Sequence, residues 1–81
     1  MARYYFDLRE GDEIIPDEEG MELTSLARVQ EEAARSLGDM ARDTVRQSHD
    51  RVAHRLSVAV RDDHGPVLMV VCTFDVKRHR R

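Results

Sequence analysis

The chain has 81 residues and a formal net charge of −3, a length that forms one small domain (1–81) with a thin hydrophobic core. Its single cysteine, Cys72, excludes an intramolecular disulfide and a zinc site built from several cysteines. The first eleven residues lack the apolar stretch of a secretory signal, and the longest apolar run, 66–72, is far shorter than the roughly 20 residues of a membrane span. We therefore expect a cytoplasmic protein without membrane contact.

The charges are unevenly distributed along the chain. Residues 77–81 carry four basic side chains besides His79, so with a total of −3 the remaining residues carry −7. The first 22 residues hold two arginines and eight acidic side chains. This distribution predicts an acidic front segment and a basic C-terminal tail.

The first elements are two short strands and two turns. Residues 3–9 alternate between apolar and polar side chains, the pattern of a half-buried strand. Residues 10–12 predict a turn, and residues 13–15 predict a short second strand. Pro16 restricts this strand to a sheet edge, because proline has no backbone N–H to donate to the hydrogen bonds of a neighbouring strand. Residues 17–20 predict another turn, in which Gly20 is free to adopt a positive φ.

One amphipathic helix follows, with Thr24 or Ser25 as its N-cap. Its predicted core side is a stripe of seven residues at helical spacing: Leu26, Val29, Ala33, Leu37, Met40, Ala41 and Thr44. Gly38 costs about 1 kcal/mol relative to alanine inside a helix. A close approach by a neighbouring element would account for it.

The C-terminal half contains two further strands. Residues 47–54 show no sustained pattern and predict the helix end and a connection; 55–61 and 66–77 predict strands, joined by a turn at 62–65. The fold class is therefore α+β with the order ββαββ: a four-stranded, mostly antiparallel sheet with one helix packed on one face. By composition, the first and last strands are predicted to be central.

The last strand is apolar on both faces. Its predicted core side chains are Leu68, Val70, Cys72, Phe74 and Val76, and the opposite face carries Val67, Met69 and Val71. A strand that is apolar on both faces requires cover on both, and the helix covers one. We therefore predict a homodimer or protein-partner interface on the second face, formed by Tyr5, Ala59, Val67, Met69 and Val71.

The basic tail supports an alternative function, an accessory protein that binds nucleic acid. Lys77, Arg78, Arg80 and Arg81 would contact phosphates, and each contact releases counterions. The body of the chain is acidic, which opposes this interpretation. We rank it below the first interpretation, a non-enzymatic protein-interaction or regulatory module that self-associates through the second sheet face.

Sequence features of an enzyme are weak. The acidic residues of 12–22 lack the ligand spacing of a calcium loop, His49 and His54 are five residues apart and lack a metal-binding pattern, and Cys72 falls on a core-facing strand position. We expect no catalytic activity, no metal and no cofactor. Whether the acidic segment binds a cation stays open.

Several segments nevertheless resemble a known family. These are residues 3–11 (RYYFDLREG), 16–20 (PDEEG), Leu23 with the Ala/Arg/Glu-rich helix that ends near 41–43, and the strand–DDHG–strand arrangement around 62–65. Together they resemble a family of short alphaproteobacterial, rhizobial-type proteins classified as a domain of unknown function. The resemblance implies a bacterial cytoplasmic origin. It implies no mechanism and no functional residues.

Overall fold

The computed structural model of the chain describes residues 2–47, 52–77 and 79–80. It consists of one helix and five antiparallel strands: β1 Ala2–Glu10, β2 Glu13–Ile15, β3 Met21–Leu23, α1 Leu26–Gln47, β4 Val52–Asp62 and β5 Gly65–Val76. The predicted α+β class and the order ββαββ are confirmed. The short strand β3 is an addition that the sequence pattern did not indicate.

The strand order is β2-β1-β4-β5, and β3 also pairs with β1. β2 pairs with residues 8–10 of β1, and β3 pairs with residues 2–4. The loop 16–20 connects these two short strands and passes the middle of β1. β2 therefore lies at an edge, as Pro16 predicted.

The prediction that the last strand is central was wrong. Within the described residues β5 pairs only with β4, and β4 lies between β1 and β5. β4 supplies the most buried strand residues, because Leu56, Val58 and Val60 are each at most 1% exposed. β1 is central, as predicted.

The hydrophobic core lies between α1 and one face of the sheet. Val29 and Ala33 of the helix are fully buried against a cluster that includes Phe6, Val58 and Val60. Ser25 is the N-cap: its Oγ accepts a hydrogen bond from the Arg28 N–H at 3.2 Å. This confirms the helix and its packing on one face.

Two details of the predicted helix differ in the structure. Leu26, the first helical residue, is 61% exposed, so the buried stripe begins one turn later at Val29. A Cβ placed on Gly38 would meet no atom within 4 Å, so the close approach proposed for this glycine is absent from the described residues. The cost of Gly38 to the helix is therefore not offset by packing at this position.

The C-terminal hairpin is longer than the rest of the sheet. β4 begins at Val52, three residues before the predicted start, and the predicted connection falls in part on residues 48–51, outside the described ranges. β1 pairs with residues 56–61 of β4, so the segments 52–55 and 73–76 pair with each other beyond the end of β1. Leu68 and Val70 pack against the core as predicted. Cys72, Phe74 and Val76 are half-buried farther along the hairpin.

No helix among the described residues is long and apolar enough to cross a membrane.

Candidate interaction surface

The sheet face opposite α1, here called the outer face, is defined by the strand register. Asp7 pairs with Ala59, and Ala59 pairs with Met69. Directly paired residues of antiparallel strands have their side chains on the same face. The outer face therefore includes Tyr5, Asp7, Arg9, Ile14, Arg55, Ser57, Ala59, Arg61, Met69, Val71 and Thr73.

Val67 was predicted on this face but packs against the hydrophobic core. The reason is a bulge in the hairpin: Val60 pairs with Leu68, but Arg61 pairs with Pro66, so Val67 is an extra residue in β5. An extra residue interrupts the alternation of faces along a strand. The strict period of two used for the prediction therefore assigned Val67 to the wrong side.

Three of the predicted residues form a contiguous apolar area, here called the outer patch: Ala59, Met69 and Val71. Met69 is 53% exposed and Val71 is 43% exposed, while Ala59 is half-buried between its neighbours. The patch borders the edge of the sheet formed by β5, since Met69 and Val71 both belong to that strand.

Tyr5 lies apart from the outer patch. It pairs with Arg61, and the guanidinium carbon of Arg61 stands 4.6 Å from the centre of the Tyr5 ring. A guanidinium over an aromatic face is an attractive arrangement that also covers the ring. The apolar area on the outer face is therefore smaller than the sequence predicted, and is displaced toward β5.

Arg61 also connects β4 to the loop beyond β1. Its Nε donates to Asp7 Oδ2 at 2.9 Å, and its Nη2 donates to the backbone carbonyl of Asp17 at 3.1 Å. The Asp7 carboxylate raises the pKa of Arg61, so the guanidinium stays charged. This contact was not predicted, although the outer-face positions of Asp7 and Arg61 in their strands were available from the sequence.

Asp17 organises the loop between β2 and β3. Its carboxylate accepts hydrogen bonds from the backbone N–H groups of Phe6 (3.1 Å), Glu19 (3.1 Å) and Gly20 (3.2 Å). Burial opposes ionisation of this carboxyl, but these bonds and the charge of Arg61 outweigh it, so the pKa of Asp17 is lowered. Asp17 therefore takes the place of a strand partner for the N–H of Phe6.

Gly20 allows the loop to approach β1 closely. Its φ is +74°, and a Cβ at this position would lie 2.9 Å from Cε1 of Tyr5 and 3.0 Å from the carbonyl oxygen of Tyr4. The close contact involves backbone as well as side-chain atoms. The sequence predicted a turn here and the positive φ, but could not show the contact with β1.

The acidic segment is thus partly used in structural contacts. Besides Asp17, Glu22 pairs with Arg3 at 3.2 Å, and the same arginine donates to the Glu19 carbonyl at 2.7 Å. In the ranges that the structure covers, no group of three or more His, Cys, Asp or Glu side chains is placed to hold a metal ion. An open groove of about 420 Å³ runs between this loop and α1, over Phe6 and Leu8.

The structure describes the basic tail only in part. Lys77 and Arg80 are exposed, whereas Arg78 and Arg81 lie outside the described residues. Their predicted contact with phosphates stays a prediction.

Residues 3–75 match the family described as a domain of unknown function, DUF6894. The chain belongs to this family. The matched range contains the outer patch and the Asp17 loop and stops before Lys77. No curated protein and no solved structure matches the chain. The description of the DUF6894 family assigns no activity.

Proposed function

We propose that this DUF6894 chain is a non-enzymatic interaction or regulatory module of the bacterial cytoplasm that self-associates through its outer face. The observation that carries the proposal is the outer patch. Met69 and Val71 expose 53% and 43% of their surface on the face opposite α1. Burial of such side chains against a second molecule is favourable by about 25 cal/mol per Å² of apolar area.

The adjacency of the exposed apolar residues in the outer patch supports an interface, because isolated exposed apolar residues would not. Single exposed apolar residues are normal on a protein surface. Here Met69 and Val71 are neighbours on one face of one strand, and Ala59 beside them adds a small, flat position. Arg9 and Arg61 provide a charged rim on the same face, an arrangement typical of protein interfaces.

The non-enzymatic part of the proposal is supported by the roles of the candidate groups. Asp7 and Asp17 accept hydrogen bonds that hold the loop to the strands. Cys72 is half-buried on the core-facing side of β5, where a thiol behaves as a small apolar side chain. The cytoplasmic assignment is supported by this lone thiol.

Met69→Lys tests self-association. We expect the unmodified chain to show a concentration-dependent increase in mass by sedimentation equilibrium, and Met69→Lys to remain monomeric because an ammonium without an acidic partner replaces an apolar side chain at the contact. Ile14→Lys is a matched control: Ile14 is also 53% exposed and lies on the outer face opposite Arg9, but at the β2 edge.

Three outcomes of this measurement contradict the proposal. An unmodified chain that stays monomeric at the highest soluble concentration rules out self-association. Equal dimerisation of the Met69→Lys and unmodified chains rules out the outer patch. Equal loss in Met69→Lys and Ile14→Lys excludes a contact confined to the outer patch.

The second candidate function is nucleic-acid binding. It is favoured by the exposed Arg9 and Arg55, which are diagonal neighbours on the outer face, together with the exposed Lys77 and Arg80 beyond the same end of the hairpin. It predicts binding that weakens steeply with salt and is lost when residues 77–81 are removed. Binding that is unchanged in the truncated chain would reject it.

A further inference from the structure

The two edges of the sheet differ in how they are protected. At the first, β2 and β3 have three residues each, and the loop between them contains Pro16 and is bound to β1 through Asp17. Short strands, proline and local irregularity are features that discourage pairing with another chain. This edge is poorly suited to strand addition.

The other edge, β5, is suited to it. Residues 68–73 (LMVVCT) contain no charge, proline or glycine, and within the described residues β4 is the one strand that pairs with β5. Such a segment at a sheet edge presents a row of backbone N–H and C=O groups to a second strand. Pro66 and the bulge at Val67 protect its beginning and leave 68–73 exposed to pairing.

We infer that β5 pairs antiparallel with β5 of a second copy of this chain, about a two-fold axis that passes through Val71. The pairing rests on the self-association proposed above and specifies its contact. It joins two five-stranded sheets into one continuous sheet with both helices on the same face.

The register follows from the faces of the strand. A two-fold axis perpendicular to the sheet places residues of the same face opposite each other. With the axis at Val71, this residue faces its own copy and Met69 faces Thr73 of the second copy, all on the outer face. Each pair combines side chains that suit cross-strand contact. The two outer patches then adjoin across the new strand pair, where Val71 and Met69 contact Val71 and Thr73 of the second copy.

The charges of the hairpin are compatible with this arrangement. Asp75 of one copy would lie eight residues along the strand from Asp75 of the other, which is about 26 Å at 3.3 Å per residue. A parallel, in-register pairing would instead bring the two carboxylates together.

Pairing of β5 with β5 of a second copy gives a dimer that cannot grow further. A two-fold interface uses the same surface on both copies and closes. The edges that remain are those with β2 and β3, which are short and interrupted. A foreign strand would satisfy the backbone of β5 but would not supply the contacts of Val71 with Val71 and of Met69 with Thr73.

Disulfide cross-linking of the full chain tests the register. In a Cys72→Ser background, Val71→Cys should form an oxidised dimer, because directly opposed residues have Cα atoms about 5 Å apart, within disulfide reach. Met69→Cys alone and Thr73→Cys alone should not, since each would lie about 13 Å along the strand from its own copy. A mixture of these two variants should cross-link. Ile14→Cys is the control of equal exposure to Met69.

Amide hydrogen exchange separates edge pairing from face-to-face packing. Edge pairing predicts slower exchange in residues 68–73 as concentration rises, because new backbone hydrogen bonds form. A dimer that cross-links neither Val71→Cys nor the Met69→Cys and Thr73→Cys mixture, or that leaves these amides unchanged, overturns the edge pairing and leaves self-association standing. A chain that is monomeric at every concentration overturns both.

Discussion

The two edges of this sheet differ in how their backbone hydrogen-bonding groups find partners. At the edge formed by β2 and β3, the loop supplies hydrogen-bond partners from the same chain. The Asp17 carboxylate accepts a hydrogen bond from the Phe6 N–H, and Arg61 of β4 donates to the backbone carbonyl of Asp17. The β5 edge has twelve residues and an apolar outer patch beside it. A small domain can thus devote charge-assisted hydrogen bonds to one edge, while the other edge has, within the described residues, β4 as its one strand partner. Substitutions at each edge should consequently have different effects, the first on stability and the second on association.

The largest expected effect is at Gly20. Gly20→Ala should lower the free energy of unfolding by about 2–4 kcal/mol, since the new Cβ combines a left-handed backbone with contacts of 3.0 Å or less to β1. Gly11→Ala is the matched control: Gly11 also has a positive φ, +58°, but open space around it, so about 1 kcal/mol is expected. Urea unfolding measures both. Equal losses would show that the close approach of the loop contributes little.

The next effect concerns the charge of Asp17. Asp17→Asn should lower stability at pH 7 by about 1–3 kcal/mol, because the backbone N–H groups lose a charged acceptor. The pKa of Asp17 is lowered in the folded state, so the unfolded chain binds the proton first as pH falls. The stabilisation is thus fully present above the ordinary aspartate pKa and is lost as pH falls through the lower, folded value.

Unfolding curves recorded from pH 7 down to the acid range check this dependence. Asp17→Asn should flatten the loss of stability on the acid side, whereas Glu18→Gln, an exposed change in the same loop, should not. An acid-side slope unchanged in Asp17→Asn would contradict the role assigned to this carboxylate.

The parts of the fold that the sequence predicted are those with a repeated local signal. The alternation of residues 3–9 predicted β1, and the stripe from Leu26 to Thr44, with Thr24 or Ser25 as N-cap, predicted the helix. β3 was missed because three residues are too few to show a period. Val67 was misplaced because a bulge changes the face without changing composition.

The strand order and the polar loop depended on contacts between distant residues. Apolar side chains on both faces of β5 indicated a central strand, yet β4 occupies that position and β5 lies at the edge. In the sequence, Asp17 is one of several neighbouring acidic residues, and no pattern distinguishes it from the others. Its role appears only when the loop lies beside Phe6 and Arg61. Ala59, Met69 and Val71 were predicted on the outer face because they alternate regularly with core-facing neighbours.

The smallest expected effect separates stability from association. Gly38→Ala should raise the free energy of unfolding by about 0.5–1 kcal/mol, because Gly38 is exposed in the helix and its added Cβ meets no atom within 4 Å. The substitution lies on neither edge of the sheet. Dimerisation measured by sedimentation equilibrium should therefore be unchanged, and Met69→Lys should remain monomeric in the stabilised Gly38→Ala background. If the added stability restored association to Met69→Lys, its defect would be one of folding, and the distinction between a closed edge and a binding edge would fail.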